Sequence, residues 1–205
     1  MKIFIKFSFF TLGIAGLLLL MLPISIFPSF YDVRYMGWAA LVGAGIIFLI
    51  PSLLRVPANT PNAQKKNQAV DLLQGLLALI IMANALGDLG LYQLYKIGFE
   101  FDKVIHFIVP FIGVLILPLF FEGRFGIRPL YSVALAFLLS LPLGVGWEIF
   151  EYLADYFLET HIYGVYGADL ARDTKLDLIF DAAGSTLAVL IGVFIPQWKD
   201  KLKLK

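Results

Sequence analysis

The sequence predicts an all-α polytopic membrane helix bundle of about six transmembrane helices. Three observations predict it. Hydrophobic residues make up 60% of the 205-residue chain and charged residues 15%, with a mean hydropathy of +0.86; soluble domains are about 45–50% apolar and about 25% charged. Apolar runs recur at the roughly 20-residue length that a helix needs to cross the bilayer core. Glycine (18) and phenylalanine (19) are abundant, as in helices that pack through small residues in hydrocarbon.

Six segments have the required length: 7–27, 36–54, 69–92, 103–121, 129–157 and 176–198. The first follows Lys2 and Lys6 and so has the outline of a secretory signal. It is longer than a signal core of roughly 7–15 residues, and Pro28-Ser29-Phe30 offers no small-residue cleavage pattern. It reads as an uncleaved first span. Residues 55–68 contain Pro57, Asn59, Pro61 and Asn62 and form a loop. The link 122–128 combines two glycines with three charges, and 199–205 is a basic tail. With no repeat and no second domain, residues 1–205 read as one integral membrane domain whose main partner is the lipid bilayer.

Composition excludes several classes. There is no cysteine, hence no disulfide and no thiolate metal site. A net charge of +1 argues against a nucleic-acid partner, which needs a broad basic surface. Gly-x-Ser-x-Gly, His-Glu-x-x-His and P-loop motifs are absent.

Basic residues favour the cytoplasmic side of a membrane protein. Of the 16 Lys and Arg, 11 fall in the amino terminus, the second and fourth loops and the tail, and 5 in the other loops. Both termini are therefore expected in the cytoplasm, in the cell (inner) membrane. On that map 12 of the 15 acidic residues lie at the outer side.

These acids form patterns. Asp102 and His106 stand four apart on one helix face, and Glu148 and Glu151 stand three apart. Asp173, Asp177 and Asp181 recur every fourth residue at the start of span six. An aspartate at a helix centre costs about 2.5–3.5 kcal/mol on insertion scales, so convergence of several needs a compensating cation, proton or base. Oxygen donors with one imidazole suit Mg²⁺, Mn²⁺ or Zn²⁺. The expected metal ligands are Asp102, His106, Asp173, Asp177 and Asp181, with Glu148 and Glu151 as catalytic bases. Small-residue stripes point the same way. Ser132, Ala136, Ser140 and Gly144 lead to Glu148, and Asp177 and Asp181 lead to Gly184, Ala188 and Gly192; such stripes mark helix contacts. Pro142, Gly144 and Gly146 suggest a kink or break just before the acids.

Plainer readings exist for each residue. Asp173 and Asp102 suit helix N-cap positions. Glu148 and Glu151 could be solvated among headgroups, and His106 a hydrogen-bonded interior residue. Asn84, Asp88 and Tyr92 suit interhelical bonding. Arg172, Lys175 or Lys103 could neutralise the acids without a metal.

The motifs Asp102-Lys-x-x-His106-Phe107, Trp147-Glu148-x-x-Glu151-Tyr152 and Gly167-Ala168-Asp169-x-x-x-Asp173-Thr174-x-x-Asp177, followed by Gly184, resemble the pattern of the YjdF-type family of small, uncharacterised inner-membrane proteins. A more distant likeness runs to VanZ-like proteins. The resemblance covers residues 87–192, and the first two spans match only in hydrophobicity. It implies a shared membrane fold and site, and no particular reaction. Gly167-Ala168-Asp169 departs from the Gly-Asp pair more usual there, which leaves Asp169 without an implied role. The expected function is a metal-assisted hydrolase or transferase acting on a lipid or lipid-linked substrate at the outer face. The alternative is a structural, regulatory or transport protein without catalysis.

Overall fold

A computed structural model of the chain describes residues 1–27, 30, 32–158 and 169–194. Six α-helices follow in order: α1 (Lys2–Met21), α2 (Val33–Leu54), α3 (Ala63–Asp88), α4 (Phe101–Phe125), α5 (Pro129–Leu158) and α6 (Leu170–Phe194). Short 3-10 helices occupy Ile24–Ile26 and Leu91–Ile97. The expected all-α polytopic membrane bundle is thus what the chain forms. Helices α1 to α5 are each long and apolar enough to cross a membrane. Helix α6 is as long, 25 residues, but its opening turns carry Arg172, Asp173, Lys175, Asp177 and Asp181. Gly167-Ala168, the end of span six at 198 and the tail 199–205 lie outside the described residues.

Several helix ends differ from the expected ones for local reasons. Helix α1 stops at Met21, ahead of Pro23, because the residue before a proline is pushed out of the helical region. Helix α3 ends at Asp88, and Gly90 takes a φ of +135° that only glycine adopts without strain. Helix α4 runs four residues past the expected 121 and stops at Gly126, which has a φ of +72°. Helix α5 continues through Pro142 without interruption.

The bundle has two halves. Helices α1, α2 and α3 pack on one another, α4, α5 and α6 do the same, and α3 against α4 joins them. Ile5, Leu12, Ala44, Ile47 and Ala78 fill the first half, and Ala69, Val70, Phe120, Phe121 and Ala136 fill the junction. Large apolar side chains such as Ile3, Trp38, Phe48 and Leu138 face outward, as hydrocarbon solvent requires.

Polar ties fix the two ends. Arg124 Nε donates to the carbonyl of Leu54 at 3.0 Å, joining the ends of α4 and α2. Asn67 braces both the N–H and the carbonyl of Val56, and Arg55 pairs with Asp71. At the opposite end Arg34 donates to the Leu19 and Leu20 carbonyls that α1 leaves unbonded. At this second end α4 and α6 both begin and α5 nears its finish. The acidic motifs are therefore brought to one level.

Candidate metal centre

The interior stripes come together as their spacing requires. Ser132, Ala136, Ser140 and Glu148 are buried along α5, and Asp177, Asp181, Gly184, Ser185 and Ala188 along α6. Ser140 and Ser185 share a hydrogen bond at 2.8 Å between the two helices. Helix α6 approaches α4 so closely that a β-carbon on Gly184 would collide with the Phe107 carbonyl oxygen. One turn towards the acidic end, a β-carbon on Gly144 would collide with the Asp181 carboxylate. Glycine at these two positions makes the contact and the space for the acids.

His106 sits at the centre, with only 6% of its surface exposed. Its Nδ1 lies 3.2 Å from Asp181 Oδ1. Its Nε2 faces three carboxylates from three helices: Asp102 Oδ1 at 3.7 Å, Glu148 Oε1 at 3.7 Å and Asp177 Oδ1 at 3.9 Å. These separations are too long for hydrogen bonds. One donor atom each from Asp102, His106 and Asp177 lie within 4.8 Å of one another.

The acids outside that trio divide into two groups. Asp181 and Glu148 are buried, and Asp181 Oδ2 and Glu148 Oε1 have no hydrogen-bond donor among the described residues. Thr174 bonds the Glu148 carboxylate. Asp173 and Glu151 sit at the rim. Asp173 reaches the cluster through Lys103 at 2.5 Å. Glu151, half-buried one turn beyond Glu148, bonds the Trp147 side chain.

Lys103 Nζ is buried against Asp177 Oδ1 at 2.6 Å and Oδ2 at 2.8 Å, and it also meets Asp102 at 3.2 Å. It is the lysine that pairs with Asp177, while Arg172 and Lys175 are exposed. The sequence holds a signal for this: Lys103 lies three residues before His106, on the same side of the helix. Asp102 and Asp173 are not caps, since each lies inside its helix. Asp169 caps α6 instead, accepting from the Arg172 N–H at 3.2 Å. Asn84 accepts from Tyr92 at 3.0 Å. Burial, and then the Asp102 carboxylate, push the Tyr92 hydroxyl well above the usual phenol range, so it stays a donor.

The donor set is consistent with coordination of a divalent cation. Two donors each about 2.1 Å from one ion stand no more than about 4.2 Å apart, and Nε2 lies within that reach of all three carboxylates. Carboxylate and imidazole are the ligands of Zn²⁺ and Mn²⁺ sites, and carboxylate-rich sites also take Mg²⁺. A ligating histidine typically gives its other ring nitrogen to a carboxylate, and Asp181 stands in that place. The chain thus carries a buried Asp–His–Asp cluster suited to divalent-metal coordination inside a membrane-spanning helical protein.

No curated protein and no solved structure matches the chain. A family model matches residues 11–197. That match takes in the second half of α1 and all of α2, for which the sequence motifs had given only hydrophobicity. The chain belongs to the family described as "Predicted membrane protein (DUF2238)".

Proposed function

We propose that this protein binds a divalent cation through Asp102, His106 and Asp177, and uses it to hydrolyse or transfer an ester of a lipid or lipid-linked substrate. One observation carries the reading. His106 gives Nδ1 to Asp181 and turns Nε2 towards three carboxylates that it does not hydrogen-bond. A neutral imidazole held this way aims a lone pair at three acceptors, an arrangement that a bound cation turns from repulsion into coordination. Charge supports it. Among the described residues Asp102, Glu148, Asp173, Asp177 and Asp181 face one lysine and one histidine, which leaves excess negative charge to be neutralised at a largely buried site.

The cation would supply charge neutralisation and Lewis acidity to a bound ester. Glu148 is the base. It is buried, next to the donor trio, with Oε1 unpartnered among the described residues, and Glu151 stands one turn away as its reserve. In hydrolysis Glu148 takes a proton from water as the new bond to the ester centre forms. It returns that proton to the leaving oxygen as the old bond breaks. The excess of Lys and Arg on the loops at the opposite end favours a site on the outer face of the cell membrane, with both termini in the cytoplasm. The likeness to the YjdF-type pattern belongs with this reading, since the motifs that carry it are those that line the cluster.

A second reading is favoured by Lys103, which bonds three carboxylates at once. With His106 protonated, that network would be scaffold in a structural, regulatory or transport protein. Metal content of the purified protein separates the two. Wild type should retain about one equivalent of Mn²⁺ or Zn²⁺ after dialysis and Asp177→Ala much less; equal, trace content in both would favour the scaffold.

A further inference from the structure

We propose that a cleft between α4 and α6 seats one acyl chain of a phospholipid and holds its phosphate at the acidic centre, which names the substrate class for the metal reading on which it rests. The cleft has a volume of about 490 Å³, inside the range of about 300–1,000 Å³ of small-molecule sites. Glu100 and Lys103 line it at the helix-start end, and Val104, Phe107 and Ile108 continue along α4 opposite Phe180 of α6. It is therefore amphipathic along its length, charged where α4 begins and apolar one to two turns deeper.

Two features tie the cleft to the centre. Lys103 belongs to both, lining the cleft while its Nζ bonds Asp173 and Asp177. Phe180 precedes Asp181, the partner of His106. Glycine at position 184 lets α6 approach the Phe107 backbone of α4 closely just beyond the cleft. Val104, Ile108 and Phe180 are each more than a third exposed, so on a membrane-spanning helix they meet lipid chains.

The polar end suits a phosphate. Helices α4 and α6 both begin here, so both dipoles present their positive ends, while the Lys103 charge is already shared by Asp102, Asp173 and Asp177. The surrounding carboxylates would repel an anion unless an ion neutralised them. Recognition of the phosphate should therefore need the cation, whereas seating of the chain should not.

The test uses two photoreactive probes in neutral detergent micelles: phosphatidic acid with a mid-chain diazirine, and diacylglycerol with the same chain. In the presence of Mn²⁺, phosphatidic acid should label the Val104–Ile108 segment and Phe180 about tenfold more than diacylglycerol, a difference of about 1.4 kcal/mol. Ile108→Trp fills the apolar part from the lipid side, away from the acids. It should cut that labelling about tenfold while the Mn²⁺-dependent rise in melting temperature stays as in wild type. Equal labelling by the two probes, or full labelling of Ile108→Trp, would overturn the cleft. A metal-dependent rise without selective labelling sinks the cleft and spares the metal centre. Selective labelling lost in Ile108→Trp, without any metal-dependent rise, would sink the metal centre and with it the cation-dependent hold on the phosphate, leaving only the seat of the chain.

Discussion

Nδ1 of His106 on α4 lies 3.2 Å from Oδ1 of Asp181 on α6, and this contact sets which ring nitrogen looks into the acidic centre. The other carboxylate oxygen of Asp181 lies where Gly144 leaves room for it. Three helices thus fix one imidazole: α4 carries it, α6 orients it and α5 makes space for its orienting partner. In the metal reading Asp181 acts on the ion only through His106.

Asp181→Ala should therefore weaken Mn²⁺ binding about 10–100-fold, the usual effect of losing such an outer partner. Asp181→Asn keeps an oxygen that can accept from Nδ1–H and should recover part of the loss. Dissociation constants from Mn²⁺ paramagnetic resonance check both. Wild-type affinity in Asp181→Ala would remove the orienting role.

Metal should stabilise the wild type and not the variants that lose a donor. At a free ion concentration of 100 times Kd the gain is about 2.7 kcal/mol, read as a rise in the melting temperature of the solubilised protein over a chelator control. Asp177→Asn, Asp102→Asn and His106→Ala should each lose the rise. Lowering the pH should shrink it in wild type, because protons compete for the same donors. A wild type that melts at one temperature with chelator and with Mg²⁺, Mn²⁺ or Zn²⁺ would leave the Lys103 network as scaffold.

Gly184→Ala should destabilise the bundle by about 1–3 kcal/mol, the range for overpacking, because the new methyl meets Phe107 backbone that cannot rotate away. Gly192→Ala, two turns on, meets nothing within 4 Å and should cost little or stabilise through helix propensity, by up to about 1 kcal/mol. Melting of the two variants side by side is the check. Equal stability would mean that α4 and α6 are not held together at Phe107.

The two ends of the bundle should face opposite sides of the membrane. The chain has no cysteine, so Asn62→Cys and Gly98→Cys give single reporters at opposite ends of the segment that contains α3. An impermeant maleimide applied to intact cells should label Gly98→Cys, while Asn62→Cys should label only after permeabilisation. The reverse pattern would put the acidic centre on the cytoplasmic side.

Much of this was legible in the sequence because it depends on periodicity and on the solvent. A bilayer demands long apolar helices with internally satisfied backbones, so hydropathy alone determined an all-α bundle and the approximate spans. Spacing determined the buried faces too. The stripe from Ser132 to Glu148 and the Asp177–Asp181 pair could face inward only together, since residues four apart share a helix face. Helix ends were less legible, because they turn on single residues such as Pro23, Gly90 and Gly126, whose effect is local and sterically decided. Three facts belonged to the tertiary structure. Asp169, not Asp173, caps α6, which frees Asp173 for Lys103. Lys103, not Arg172 or Lys175, pairs with Asp177. The two nitrogens of His106 meet different partners. Sequence spacing tells which face of one helix a side chain leaves from; the distance and rotation between α4, α5 and α6 decide which atoms meet, and those were set by how closely Gly144 and Gly184 let the three helices approach.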